Sequence, residues 1–338
     1  MAKSVKLADI AEKFGVSVVT VSKALSDQKG VSEDMRSKIK ELAQEMGYVS
    51  PSAAKIQNEK KSYTVGVIVS SRYFDHTQSF YWLMYQELAT RALSKNCFTM
   101  LEVVQEDMER SNSIPKLLEG ERVNGLIVIG LMKEEYIKSI SENTKVPIVY
   151  LDFYCNNFQD NAIVADNFFG MYQVTNYLCE LGHKKIAYVG TLFSTNSITD
   201  RYFGYCKALY EHGIEIRKDY VINDRFEDTG MKQGFVYTLP EDMPTAFACN
   251  CDVTAIEIIE ELKKMGLRVP QDISVVGFDN YAITNTEEIK LTTFAVDLKE
   301  MVGKALKILV MKMSGEYVGK GVSVIEGKMI IGETVKKI

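Results

Sequence analysis

Two sets of side chains in this sequence have the type and spacing to do chemistry. The first is a group of polar residues that follow short apolar runs: Ser197 and Arg201 come after K-I-A-Y-V-G, Asp252 after F-A-C-N-C, and Asp279 after I-S-V-V-G-F. Carboxylates and a guanidinium can bridge paired hydroxyls, so this set suits recognition of a sugar-like ligand. The second set lies between Leu7 and Leu25. Leu7, Ile10, Ala11 and Phe14 fall at i, i+3, i+4 and i+7, Gly15 can take a positive φ behind a helix, and Ser17 offers an oxygen to the free N–H groups of the next one. Val18, Val21 and Leu25 make a second stripe, which leaves Val19, Thr20, Ser22 and Lys23 outside it. Two short helices about a glycine turn form a helix-turn-helix, whose second helix can enter a major groove.

Catalysis has no comparable signal. No G-x-G-x-x-G, G-x-x-x-x-G-K-[ST] or G-x-S-x-G stands in a strand-to-helix turn, and His76, His183 and His212 are scattered. The six cysteines show no C-x-x-C spacing and read as reduced thiols. An enzyme, a cofactor and a metal centre are therefore not expected.

The elements that position the two sets follow from periodicity. A third helix starts near Ser32, with Glu33 and Asp34 at its positive end, and Met35, Ile39, Leu42, Ala43 and Met46 as its apolar face. Residues 1–48 thus close a three-helix domain, and polar residues 49–62 form a linker. From Thr64 onward, runs apolar on both faces alternate with helices, as in V-G-V-I-V, G-L-I-V-I, V-P-I-V-Y-L and A-F-A-C-N. Such runs signify strands buried in parallel sheets. The expected fold class is α/β: an N-terminal helix-turn-helix domain, then two doubly wound parallel-sheet lobes over 63–338. The first lobe is expected over 63–160 plus a crossover near 292–320, and the second over 161–291 plus the C-terminal strand. In open α/β sheets ligands sit beyond the carboxyl ends of the strands, and two lobes put two such edges face to face.

Composition agrees. A chain of 338 residues suggests two or three domains, and its 46% apolar content is ordinary for globular proteins. No run of roughly 18 apolar residues exists to span a membrane, and charges near the N-terminus interrupt any secretory signal, so a cytoplasmic location is expected. The net charge of −5 hides an asymmetry: residues 1–61 carry 11 basic against 8 acidic side chains, +3, leaving −8 for the remainder. The basic excess lies where phosphate contact would need it.

The stretches V-K-L-A-D-I-A-E-K-F-G-V-S-V-V-T-V-S-K-A-L-S, G-V-S-E-D-M-R-S-K-I, L-G-H-K-K-I-A-Y-V-G, D-R-Y-F-G-Y and R-V-P-Q-D-I-S-V-V-G-F-D-N resemble the LacI family of bacterial transcriptional regulators along nearly the whole chain. The resemblance implies a homodimer that binds double-stranded operator DNA and represses a carbohydrate-utilisation operon. A small sugar-like effector between periplasmic-binding-protein-like lobes would control it. It implies Val18, Val19 and Lys23 as base readers, Ser17, Thr20, Ser22 and Ser32 on the backbone side, and a hinge segment over Ala54, Lys55, Ile56 and Gln57. The family's minor-groove leucine is replaced here by Gln57, beside Ile56. Ser197, Arg201 and Asp279 match effector contacts, as do the aromatics Phe226 and Phe80, and Cys251 stands where the family has an effector-binding asparagine. A purine-type co-repressor system and a sugar-binding module without DNA binding are the alternatives.

Overall fold

The computed structural model describes residues 5–48, 62–73, 79–155, 160–232, 234–280 and 290–338. The chain forms two compact units, Met1–Ser62 and Tyr63–Ile338. The first holds α1 (Leu7–Phe14), α2 (Val18–Leu25) and α3 (Glu33–Glu45). Gly15 ends α1 at φ 71°, and the Ser17 and Ser32 oxygens accept from Thr20 N and Met35 N at 3.1 and 3.4 Å. Ile10, Ala11, Val21, Ala24, Ile39 and Ala43 make the core. The inner stripe of α2 therefore uses Ala24, and Val18 turns outward.

Among the described residues the second unit contains two six-stranded sheets. The first orders β11 (Gly321–Ile325), β5 (Asn161–Ala165), β4 (Ile148–Leu151), β3 (Gly125–Ile129), β1 (Tyr63–Ser70) and β2 (Cys97–Val104), all parallel. The second orders β12 (Lys328–Ile330), β10 (Thr292–Ala295), β9 (Ser274–Asp279), β8 (Ala246–Cys249), β6 (Ile186–Val189) and β7 (Val221–Ile222), with only β12 antiparallel. Helices cover both faces, as buried parallel strands require. On the first lobe, α4 (Phe80–Ser94) and α10 (Leu298–Met313) share one core, while α5 (Glu106–Ser111) and α6 (Glu134–Asn143) lie on the other side. On the second, α7 (Asn167–Glu180) and α8 (Asn196–Glu211) cover one face and α9 (Asp252–Lys264) the other.

Three boundaries differ from the sequence reading, the first being that Gly321–Ile325, beyond the expected crossover limit near 320, pairs in the first sheet. Asn161–Ala165 pairs with β4 and β11 in the first sheet, and Thr292–Ala295 pairs with β9 in the second. A run that is apolar on both faces reads the same in either sheet, so periodicity cannot assign it. Among the described residues the chain passes between lobes near Asp166, Val296–Asp297 and Glu326–Gly327.

No described helix is long and apolar enough to cross a membrane. The described cysteines are free, and His183 bonds Thr245 Oγ1 at 2.9 Å and the Lys336 carbonyl at 3.0 Å, a tie to the C-terminal segment.

Candidate DNA-reading surface and ligand cleft

On the first unit, α2 presents Val18 and Val19 to solvent, 45% and 62% exposed, with Ser22 and Lys23 beside them. Isolated exposed apolar residues are ordinary, but two adjacent ones next to a lysine on a capped helix form a surface suited to thymine methyls and base-edge acceptors. Thr20 is half-buried, its hydroxyl 2.8 Å from that of Ser17. Ser32 is exposed at the start of α3. The sequence reading overlooked Asp27, whose carboxylate accepts from Arg36 at 2.9 Å and Lys40 at 2.7 Å. Arg36 also donates to the Gln28 carbonyl, fixing the turn behind α2. Ala54, Lys55, Ile56 and Gln57 lie outside the described residues.

Between the two lobes of the second unit lies a cavity of about 120 Å³. The first lobe contributes Tyr73, Phe80, Tyr81 and Asp152, all beyond the carboxyl edge of its sheet. The second contributes Ser197 and Arg201 from α8, Arg225, Asn250 and Cys251 from strand-end turns, and Asp279 from the end of β9. A more open space of about 880 Å³ beside the crossovers shares Phe80 and Asp279, but the convergent buried charges belong to the smaller cavity.

Arg201 is the hub. Its Nε donates to Asn167 Oδ1 at 2.9 Å, one terminal nitrogen donates to the Asn250 carbonyl at 2.6 Å, and the other stands 3.1 Å from Asp279 Oδ1. The guanidinium also lies 3.8 Å from the centre of the Phe278 ring. Burial opposes its charge, and Asp279 and Asp152 restore it. The contact with Asp279 is an ion pair without hydrogen-bond alignment, so that buried oxygen still lacks a well-directed donor. Burial pushes the Asp279 carboxyl up to about 7, against the pull of Arg201. Asp279 also takes φ 103°, in the region that favours glycine.

Behind this wall Asp224 is fully buried. It accepts from Thr191 N, Arg225, Asn250 Nδ2 and Thr254, and Lys232 stands 3.7 Å away. Burial alone would raise its carboxyl, but Arg225 and Lys232 hold it well below the usual carboxylate range. Across the cleft Tyr73 and Tyr81 pack with ring centres 4.8 Å apart, and Tyr81 donates to Asp152 at 3.0 Å. Buried Glu109 holds this side, accepting from Ser70 at 2.5 Å, from Arg72 and from Lys133 N.

Of the sequence-predicted contacts, Phe80, Ser197, Arg201 and Asp279 meet at this cavity. Asp252 does not: it is buried at the start of α9 and accepts from the Thr293 hydroxyl at 2.6 Å. Phe226 does not line it either, since its ring packs edge-on to Phe235 at 5.4 Å. Asp152 was legible, because it follows V-P-I-V-Y-L as Asp279 follows its own strand. Tyr73, Tyr81 and Arg225 carry no local motif.

An acid held near 7 makes a checkable pH effect. Protonated Asp279 is favoured by the fold over an unfolded carboxyl near 3.8, so its contribution is fully present below that value and is lost as pH rises through about 7. Urea unfolding of the native protein and Asp279→Asn should show the native protein gaining about 2 kcal/mol relative to the variant at pH 5 compared with pH 8. A difference independent of pH would contradict this assignment.

Residues 6–51 match the model of bacterial regulatory proteins, lacI family, and residues 175–335 match a periplasmic binding protein-like domain. The chain belongs to the LacI family. The transcriptional repressor PurR of Vibrio vulnificus (strain CMCP6) is 26% identical over 332 residues, covering 98% of each chain. The repressor CytR of Escherichia coli (strain K12) is 27% identical over 326 residues, 96% of this chain and 94% of its own. Among solved structures, the lac repressor dimer bound to operator and the anti-inducer ONPF superposes with TM-score 0.66 at 24% identity, covering 99% of this chain and 100% of that one. The CelR–cellobiose complex does so with TM-score 0.69 at 23% identity, covering 98% and 99%. These two likenesses bear on the fold. As a LacI-family member the protein is a DNA-binding transcriptional regulator with an effector domain, not an enzyme.

Proposed function

We propose that this LacI-family regulator acts in the cytoplasm as a homodimeric repressor of a carbohydrate-utilisation operon, its operator affinity set by a sugar-like effector between the lobes. The observation that carries the effector reading is the meeting of Arg201, Asp279 and Asp152 beside a Tyr73–Tyr81 pair in one buried cavity. Carboxylates accept from vicinal hydroxyls, and aromatic faces cover the apolar side of a sugar ring. Phe80 and Ser197 complete the contacts in this reading. A nucleoside or nucleobase is the second reading: the same aromatic pair would stack on a base, and the curated relatives include the repressors PurR and CytR. Calorimetric titration with mono- and disaccharides, nucleosides and nucleobases separates the two, and heat from none of them would sink both.

On DNA, Val18 and Val19 read thymine methyls, Lys23 supplies the polar base contact, and Ser17, Thr20, Ser22 and Ser32 face the backbone. The hinge role of Ala54, Lys55, Ile56 and Gln57 belongs to the same proposal. Lys23→Ala should weaken specific binding roughly 10- to 100-fold, about 1–3 kcal/mol, in fluorescence anisotropy, with nonspecific affinity nearly kept. Equal loss on specific and random DNA would make Lys23 a phosphate contact instead.

A further inference from the structure

Tyr154 follows the last residue of β4 by three positions, and its ring packs against the core of the first lobe. Its hydroxyl donates to Asp200, 3.1 and 3.2 Å from the two carboxylate oxygens. Asp200 sits on α8 of the second lobe, one residue before Arg201. The bond therefore crosses from lobe to lobe. Both residues are half-buried and neither lines the cavity between Arg201 and Tyr81. A charged acceptor in partly excluded water makes the stronger kind of hydrogen bond.

The cavity size gives this bond a consequence. At about 120 Å³ the space is well below the roughly 300–1,000 Å³ of sites that take drug-sized ligands. An effector of disaccharide or nucleoside size thus requires the lobes to part from this arrangement, and parting breaks the bond between Tyr154 and Asp200. We propose that Tyr154 and Asp200 form a latch that holds the lobes closed and sets the fraction of molecules open to effector, without touching the effector itself. As regulation of the cleft it rests on the effector reading above. A latch of this kind tunes apparent affinity through the population of the competent state.

The test is hydrogen exchange by mass spectrometry on the full chain, with no ligand added. Tyr154→Phe keeps the ring and removes the donor, and Asp200→Asn keeps the shape and weakens the acceptor. Each should speed exchange about five-fold in peptides of the cleft walls, around 150–155 and 196–202, with the recognition helices unchanged. The double variant should exchange no faster than the faster single variant, because both changes break one bond. Tyr136→Phe removes a buried first-lobe hydroxyl that has no partner among the described residues and should leave these peptides unaffected. Unchanged exchange in Tyr154→Phe, multiplied effects in the double variant, or equal acceleration in Tyr136→Phe would each overturn the latch. No ligand takes part, so failure of the effector panel would count against the cleft reading alone.

Discussion

Arg201→Met should lose about 3–5 kcal/mol of stability and all ligand control of operator binding. Methionine fills much of the arginine's volume but leaves Asn167 Oδ1 and the Asn250 carbonyl without their shared donor, and Asp279 without its counter-charge, in a buried site. Breaking a buried pair by removing one partner strands the other, which is the costly case. Because the guanidinium links α7, the turn after β8 and the end of β9, the loss also frees three parts of the cleft wall from one another. Chemical denaturation measures the first effect. Anisotropy on operator DNA with and without effector measures the second. A variant of native stability that still responds to ligand would remove Arg201 from the site.

The second large effect is expected from Gly204→Ala, outside the cavity. A Cβ at Gly204 would lie 2.1 Å from the Phe168 carbonyl oxygen and 2.9 Å from Tyr172 N, so backbone meets backbone and no side chain can swing away. The two helices α7 and α8 must separate, at a cost of about 3 kcal/mol or more. Function follows from where the contact sits. Asn167 begins α7, and Gly204 lies three residues beyond Arg201 on α8, so the close approach is what brings Asn167 Oδ1 to Arg201 Nε. Gly204→Ala should therefore lower both the unfolding midpoint and effector affinity, read by urea titration and calorimetry. A loss of stability with full effector affinity would show that the helix spacing does not position Arg201.

The sequence made different parts of this molecule legible for different physical reasons. Strand runs and helix stripes are local, so the three-helix unit and both sheets could be read from spacing alone. The pairing of Asn161–Ala165 and Thr292–Ala295 with particular sheets is long-range, and a doubly apolar strand carries no mark of its partner. Residues at strand ends were readable in the same way: Arg201, Ser197 and Asp279 do meet, and Asp152 carried the same signal. Asp252 also stands at a strand end, yet its carboxylate turns back to Thr293, because a side chain at a helix start can face the sheet as easily as the cleft. The aromatic wall could not be read. Tyr73 and Tyr81 come from a turn and a helix start, and the groups their hydroxyls bond, the Leu131 carbonyl and Asp152, lie 58 and 71 residues away along the chain.

In the proposed function one cleft controls one DNA-reading surface, and site selection followed by ligand titration reads that coupling out. The full chain is selected against random duplex DNA at moderate salt, and the recovered site is then titrated with and without a compound that calorimetry shows to bind. A pseudo-palindromic site is expected, with half-sites spaced by about 10 base pairs or a multiple, and with affinity shifted at least five-fold by the compound in native protein but not in Arg201→Met. Recovery of no preferred sequence, or an equal ligand shift in Arg201→Met, would contradict it.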